Sequence, residues 1–218
     1  ALPSLYERHP QLHVDLSADD RIVDMAREGI DIAIRTGSPA SDTLVAREIS
    51  QLTRRLYASP AYVKRHGLPT HPDELEQHRL IGNSGIASHN QWRLGQGRDA
   101  RDFTVRGQTR SDNTAVVLSL VQHGLGIARI VDIVAEPLVA VGELVPVLRD
   151  WSTEAPVPVY AVMLQERHRL PKIRACIDHL ADWHVPLPRV AEAHRHIGTH
   201  PQPALPGPVD DRREHGHR

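Results

Sequence analysis

Apolar residues along the chain recur at two spacings, one helical and one alternating, and the places where the spacing changes outline the elements. Leu2, Leu5 and Tyr6 fall on one helical face until Pro10 stops the pattern. QLHVDLS then alternates Leu12, Val14 and Leu16 with polar neighbours, which predicts a strand. DRIVDMAREG predicts a helix capped by Asp19 or Asp20, with Ile22, Val23, Met25 and Ala26 supplying apolar faces and Gly29 ending it. IDIAIRTG alternates again through Ile30, Ile32 and Ile34. Strand, helix and strand in about thirty residues predict a βαβ unit.

A turn at GSPASD leads to the segments LVAREI and TRRLYASPAYVKRHG. In the second, a strand through Leu56 and Tyr57 meets a helix with Ser59 as cap, Pro60 in the first turn and Gly67 as stop. PDELEQH predicts one further short helix, and NQWRLGQGRDARDFTVRG a hairpin or short strands with Gly-rich turns. SDNTAVVLSLVQHGLGIA has three small polar residues, a nearly unbroken apolar run and a Gly-Leu-Gly stop, which predicts one buried helix. A strand or turn is expected at GIARIV, a short helix and a strand in AEPLVAVGELVPVLRDW, and a strand in APVPVYAVML. LPKIRACIDHLADWH places Ile173, Ile177, Leu180 and His184 on one helical stripe. From Pro186 onward the chain mixes Pro, His, Arg and Asp with few large apolar residues, so residues 186–218 are expected to form a disordered tail.

Composition narrows the function classes. A chain of 218 residues suits one ordinary domain or two small lobes, and with one Phe, four Tyr and three Trp its core must rest on aliphatic side chains. Basic and acidic residues balance at 26 to 27 with no dense Lys/Arg block, so this chain by itself lacks the footprint of a nucleic-acid binder. Its single cysteine, Cys176, excludes a disulfide within the chain and a thiolate cluster, and a reducing cytoplasm fits. In the opening ALPSLYERHP, Glu7 and Arg8 stand where a signal peptide would be apolar, and no run reaches membrane-spanning length, so neither export nor a membrane partner is expected.

Candidate chemistry is sparse. Of the fifteen histidines, His194, His196, His200, His215 and His217 lie in the tail, where a His-x-His could chelate weakly or simply belong to a low-complexity segment. There is no HExxH pair and no Gly-x-Ser-x-Gly elbow, and Cys176 sits between Ile173 and Ile177 like a packing residue. No catalytic residue, metal or cofactor is expected. Ser111 to Thr114 can close a helix, and a helix N-terminus can also receive a carboxylate, for which Asn113 and Thr114 suit better than the like-charged Asp112. Arg35, Thr36 and Gly37 end a strand, where open α/β sheets present ligand contacts. The Arg35 guanidinium could fork onto a carboxylate or pair with Asp31.

Taken in order, DRIVDMAREGIDIAIRTG, LVAREI, RRLYASPAYVKRHGLPTHPDEL, SDNTAVVLSLVQHGLGIA, GELVPVLRDW, VYAVML and PKIRACIDHL resemble the effector-binding domain of LysR-type transcriptional regulators over about residues 2–184. The resemblance implies an α/β, two-lobed periplasmic-binding-protein-like fold of type 2 with two hinge-crossing strands, N-terminally truncated. Lobe I would hold residues 1–57 and 160–185 and lobe II residues 58–159, with TRRLYAS crossing out and VPVYAVML crossing back. It implies a small-molecule effector, often a carboxylate, bound between the lobes of a homodimer or homotetramer. Operator DNA would be met only through an N-terminal helix-turn-helix that is not in this sequence. The effector-binding candidates are Arg35, Thr36, Gly37, Ser59, Asn113, Thr114 and Arg129. Ser59 is first a helix cap, and Val131 stands near where relatives commonly carry a proline. The rival readings are an extracytoplasmic solute-binding protein of the same fold and, behind it, an enzyme.

Overall fold

A computed structural model describes residues 1–37, 43–95, 97–152 and 155–182. The chain opens with helix α1 (Leu2–Arg8), and the strand expected after it does not form: residues 12–19 have no regular secondary structure. Leu12 and Val14 are only half-buried and Leu16 is 71% exposed, so the alternation finds no apolar face and no neighbouring strand to complete its hydrogen bonds. The helix expected over DRIVDMAREG shrinks to a turn at residues 25–29. Asp24, not Asp19 or Asp20, caps that turn by accepting from the Ala26 and Arg27 amides. Only Met25 of its apolar residues is buried, while Ile22 is 84% exposed. The stop at Gly29 is real: its φ is +69° and Ile30 N–H returns to the Met25 carbonyl.

The βαβ unit is therefore absent, and the strand that should have closed it, β1 (Ala33–Thr36), pairs antiparallel with β10 (Val157–Leu164). The other edge of β10 takes β2 (Leu44–Leu52), also antiparallel, giving a three-stranded sheet. Both faces of β10 are covered, as its continuous apolar run requires. Ala161 and Met163 pack with Ile173 and Ile177 of α5 (Pro171–Asp182), whereas Val162 and Leu164 pack with Met25. Asp31 ties this unit together by accepting from Arg167 and Lys172.

One residue, Thr53, separates β2 from β3 (Arg54–Ala58), and there the chain enters a second antiparallel sheet ordered β8 (Ala128–Val131), β3, β9 (Val145–Val147). One face of it, with Tyr57, Ala128 and Ile130, meets α3 (Thr114–Gln122) and α4 (Asp132–Ala140) through Val117, Val121 and Ala135. The opposite face, with Leu56, Ala58 and Val147, buries Tyr62 of α2 (Pro60–His66), Leu75, Trp92 and Leu94. α2 is built as its sequence specifies: Ser59 Oγ accepts from Tyr62 N–H, Pro60 opens the helix and Gly67 follows it with φ +80°. PDELEQ forms a 3-10 turn. The weak stretch after Arg79 contains the expected hairpin, β5 (Gln91–Leu94) with β6 (Arg101–Thr104), inside a parallel pair, β4 (Ile81–Asn83) with β7 (Thr109–Ser111). α3 is buried along one stripe only, with Val116 facing solvent. The GSPASD turn beyond Gly37, His184 and the expected tail lie outside the described residues.

Candidate functional site

Alternation along β3 decides what the site is made of. Arg54 stands opposite Val131 and Leu56 opposite Arg129, so Arg54, Arg129 and Val131 share one face of the β3–β8 ladder. They line an open cleft with room for about 90 Å³, together with His89, Asn90 and Thr114. Ile81, Trp92 and Val117 supply its apolar wall.

The electrostatics of the cleft are cationic. Arg54 is half-buried and burial pushes its guanidinium below its ordinary pKa. Burial, and after it the charge of Arg54, push Arg129 down to about 10. Burial followed by Arg54 and Arg129 also lowers His89, which Asp20 opposes. Arg129 Nη1 donates to the Gln91 carbonyl at 3.3 Å, and Arg54 Nη2 to Thr36 Oγ1 at 3.4 Å. The loop that presents His89 is closed by Asn90, whose side chain accepts from Asn83 N–H and donates to the Asn83 carbonyl, both at 2.7 Å.

Of the residues expected from the sequence, Thr114 and Arg129 line this cleft. Thr36 reaches it through Arg54, and Gly37 follows with φ +82°, its N–H bound to the Pro158 carbonyl. Asn113 caps α3 by accepting from Val116 N–H and stands beside the cleft without lining it. Arg35 is not brought to the cleft: its Nη2 donates to the Val23 carbonyl at 2.8 Å, and Asp31, its other expected partner, is taken by Lys172 and Arg167. Ser59 is 1% exposed with its hydroxyl spent on the helix cap beneath Gly124, so the structure leaves it in the core. Val131 supplies cleft wall.

Arg54, His89 and Asn90 were not expected. The signal for Arg54 was present in the Arg54-Arg55 pair within a strand, because a period of two sends adjacent side chains to opposite faces. Arg55 accordingly turns away from the cleft to Asp132 at 3.2 Å and Glu136 at 3.4 Å. Among the described residues no cluster of His, Cys, Asp and Glu is arranged to hold a metal ion, and no helix is long and apolar enough to cross a membrane.

Comparison with known proteins places this geometry. The family model for the LysR substrate binding domain matches residues 1–184. An HTH-type transcriptional regulator of Xanthomonas campestris pv. campestris is 32% identical over 185 residues, covering 82% of this chain and 53% of that protein. The full-length Vibrio cholerae virulence activator AphB, a member of the LTTR family, aligns with TM-score 0.70 and 30% identity over 84% of this chain and 62% of that one. The regulatory domain of CrgA from Neisseria meningitidis, at 24% identity, aligns with TM-score 0.77 over 83% of this chain and 88% of that one, which bears on the fold alone. The chain thus spans between half and three-fifths of the curated relatives it matches. Its architecture is the two-lobed, periplasmic-binding-protein-like α/β fold of these regulatory domains, and the chain belongs to the family of LysR substrate-binding domains.

Proposed function

We propose that this chain is the effector-sensing and oligomerisation domain of a cytoplasmic LysR-type transcriptional regulator, and that its cleft takes a small anion, most simply a carboxylate. The observation that carries the reading is the convergence of Arg54 and Arg129 on one half-buried face. Two like charges at diagonal positions of a strand pair repel, and a forked carboxylate between them turns that repulsion into attraction. Thr36 and Thr114 add hydroxyls at the rim, with Gly37 and Asn113 shaping it. Arg35 acts at one remove, through the segment it holds.

In this reading the chain passes between lobes at Thr53, and the ligand biases their closure and so the way paired subunits present DNA-binding domains. The separate core clusters on the two sides of that residue support two lobes, expected as residues 1–57 with 160–185 and residues 58–159, except that Leu56 and Tyr57 pack with the second lobe, which moves that boundary back to Thr53. The subunits would form a homodimer or homotetramer. Operator DNA would be contacted through a helix-turn-helix, as the relatives' names indicate.

Calorimetric titration with succinate and acetate tests the site. Arg54→Met and Arg129→Met, which keep most of the apolar stem, are each expected to weaken carboxylate binding about tenfold or more, the size of a lost charged hydrogen bond. Wild-type affinity in both variants would falsify the assignment of the cleft.

A further inference from the structure

The first amide of α3, on a residue that lines the cleft, already has an anionic partner: Thr114 N–H donates to Oδ2 of Asp20 at 2.6 Å. Asp20 also lies near enough to His89, another lining residue, for its charge to favour the imidazolium. A carboxylate of the chain itself therefore holds a lining residue of a cleft that also presents Arg54 and Arg129.

The segment that carries Asp20 is built as a strap. Residues 12–19 have no regular structure, and Leu16 and Ile22 point to solvent, so apolar burial does not hold the middle of the segment down. Its far end is anchored: Met25 is buried against Val162 and Leu164, and Arg35 donates to the Val23 carbonyl. Asp19 is occupied by its neighbour Arg21, leaving Asp20 as the acid directed at α3. A carboxylate on a helix-terminal amide at an exposed position is a weak, reversible contact.

We propose that Asp20 latches the 12–24 strap onto the cleft and competes there with the anionic ligand, so that binding opens the Asp20–Thr114 contact. The proposal rests on the reading of the cleft as an anion site. It makes Asp20 a determinant of affinity that touches the cleft from outside its wall. Removing its carboxylate takes the one anionic partner from the Thr114 amide and leaves that end of the cleft to the ligand.

The test is succinate titration of the 218-residue chain and its Asp20→Ala and Asp20→Asn variants, read by calorimetry and by the Thr114 amide in nitrogen–proton NMR spectra. Asp20 is exposed, so neither substitution disturbs the core. Both variants are expected to bind succinate about two- to fivefold more tightly, the size of one charge at a helix N-terminus. Succinate is expected to move the Thr114 resonance of the wild-type chain from its Asp20-bound position. Unchanged affinity in both Asp20 variants, with binding still weakened by Arg129→Met, overturns the latch and leaves the cleft standing. Absence of succinate binding in the wild type and in both variants overturns the cleft reading and the latch with it.

Discussion

Thr53 and the successive residues of β3 divide two kinds of polar chemistry between the strand's faces. Arg54 faces the cleft, whereas Thr53, Arg55 and Tyr57 converge on the acids of α4. Thr53 Oγ1 donates to Asp132 Oδ2 at 2.5 Å, and the Tyr57 hydroxyl donates to Asp132 Oδ1 at 3.0 Å and Glu136 Oε1 at 3.2 Å. Tyr57 is fully buried, and burial followed by the Asp132 charge raises its phenol far above the ordinary value, so it acts only as a neutral donor. Deleting the acceptor is worse than deleting one donor, because Asp132 receives Thr53, Tyr57 and Arg55 together, whereas Glu136 can keep only Tyr57 and Arg55. Asp132→Ala is expected to cost about 3 kcal/mol and Tyr57→Phe about 1 kcal/mol in urea unfolding. Equal costs would show that Asp132 does not organise the cluster.

The elements that were legible in the sequence are those whose signals are local. Ser59, Pro60 and Gly67 bracket α2 with contacts made inside one helix, and Asn113 closes α3 in the same way. Gly124 leaves α3 at φ +73°, whereas Gly126 is needed because a Cβ there would stand 2.4 Å from the Arg79 carbonyl, a closeness no local pattern announces. The strand expected at 11–17 and the helix after it do not form, because alternation specifies a strand only when another strand and an apolar face receive it. Asp20, expected to cap a helix in its own segment, instead accepts from the first amide of α3, 94 residues away, where Asn113 is the cap. The cleft was legible in part: Arg129 and Thr114 flank glycine and cap signals, while Arg54 became a liner only through its register with β8.

Asp31 carries the pH dependence at this scale. Its hydrogen bond from Lys172, then that from Arg167, hold its carboxyl below the usual aspartate range and tie the approach to β1 to the start of α5. A folded pKa below the unfolded value means the contribution is complete above the ordinary aspartate pKa of 3.8 and lost as pH falls through the lower folded value. The group is more than a third exposed, so screening limits it to at most about 1 kcal/mol. Asp31→Asn is expected to lower the urea midpoint at pH 7, with the gap to wild type closing as pH drops below the usual carboxylate range. A gap that persists in acid would assign the loss to packing and not to charge.

At the scale of the whole molecule, two apolar cores share a backbone but no core residue. Ala161, Met163, Ile173 and Ile177 make up one cluster beside α5, and Leu56, Tyr62, Trp92 and Val147 belong to another beyond Thr53. Strands β2 and β3 run through the division with one intervening residue, and Thr53 is fixed to the second side by its hydroxyl on Asp132 and its carbonyl on the Asp132 amide. A junction held that way is expected to move with the second core, which places the expected flexing on the β2 side of Thr53, where β10 crosses beside it from Val157. Cores on the two sides of such a junction are expected to open at different free energies. Ile177→Ala removes a buried side chain of the first core and is expected to cost about 2 to 4 kcal/mol. Amide hydrogen exchange should then accelerate across β1, β2 and β10 while β3 and β8 keep most of their protection. Equal acceleration in both sheets would mean one cooperative unit, and a ligand in the Arg54–Arg129 cleft would then act by tightening the whole fold and not by biasing the angle between two parts of it.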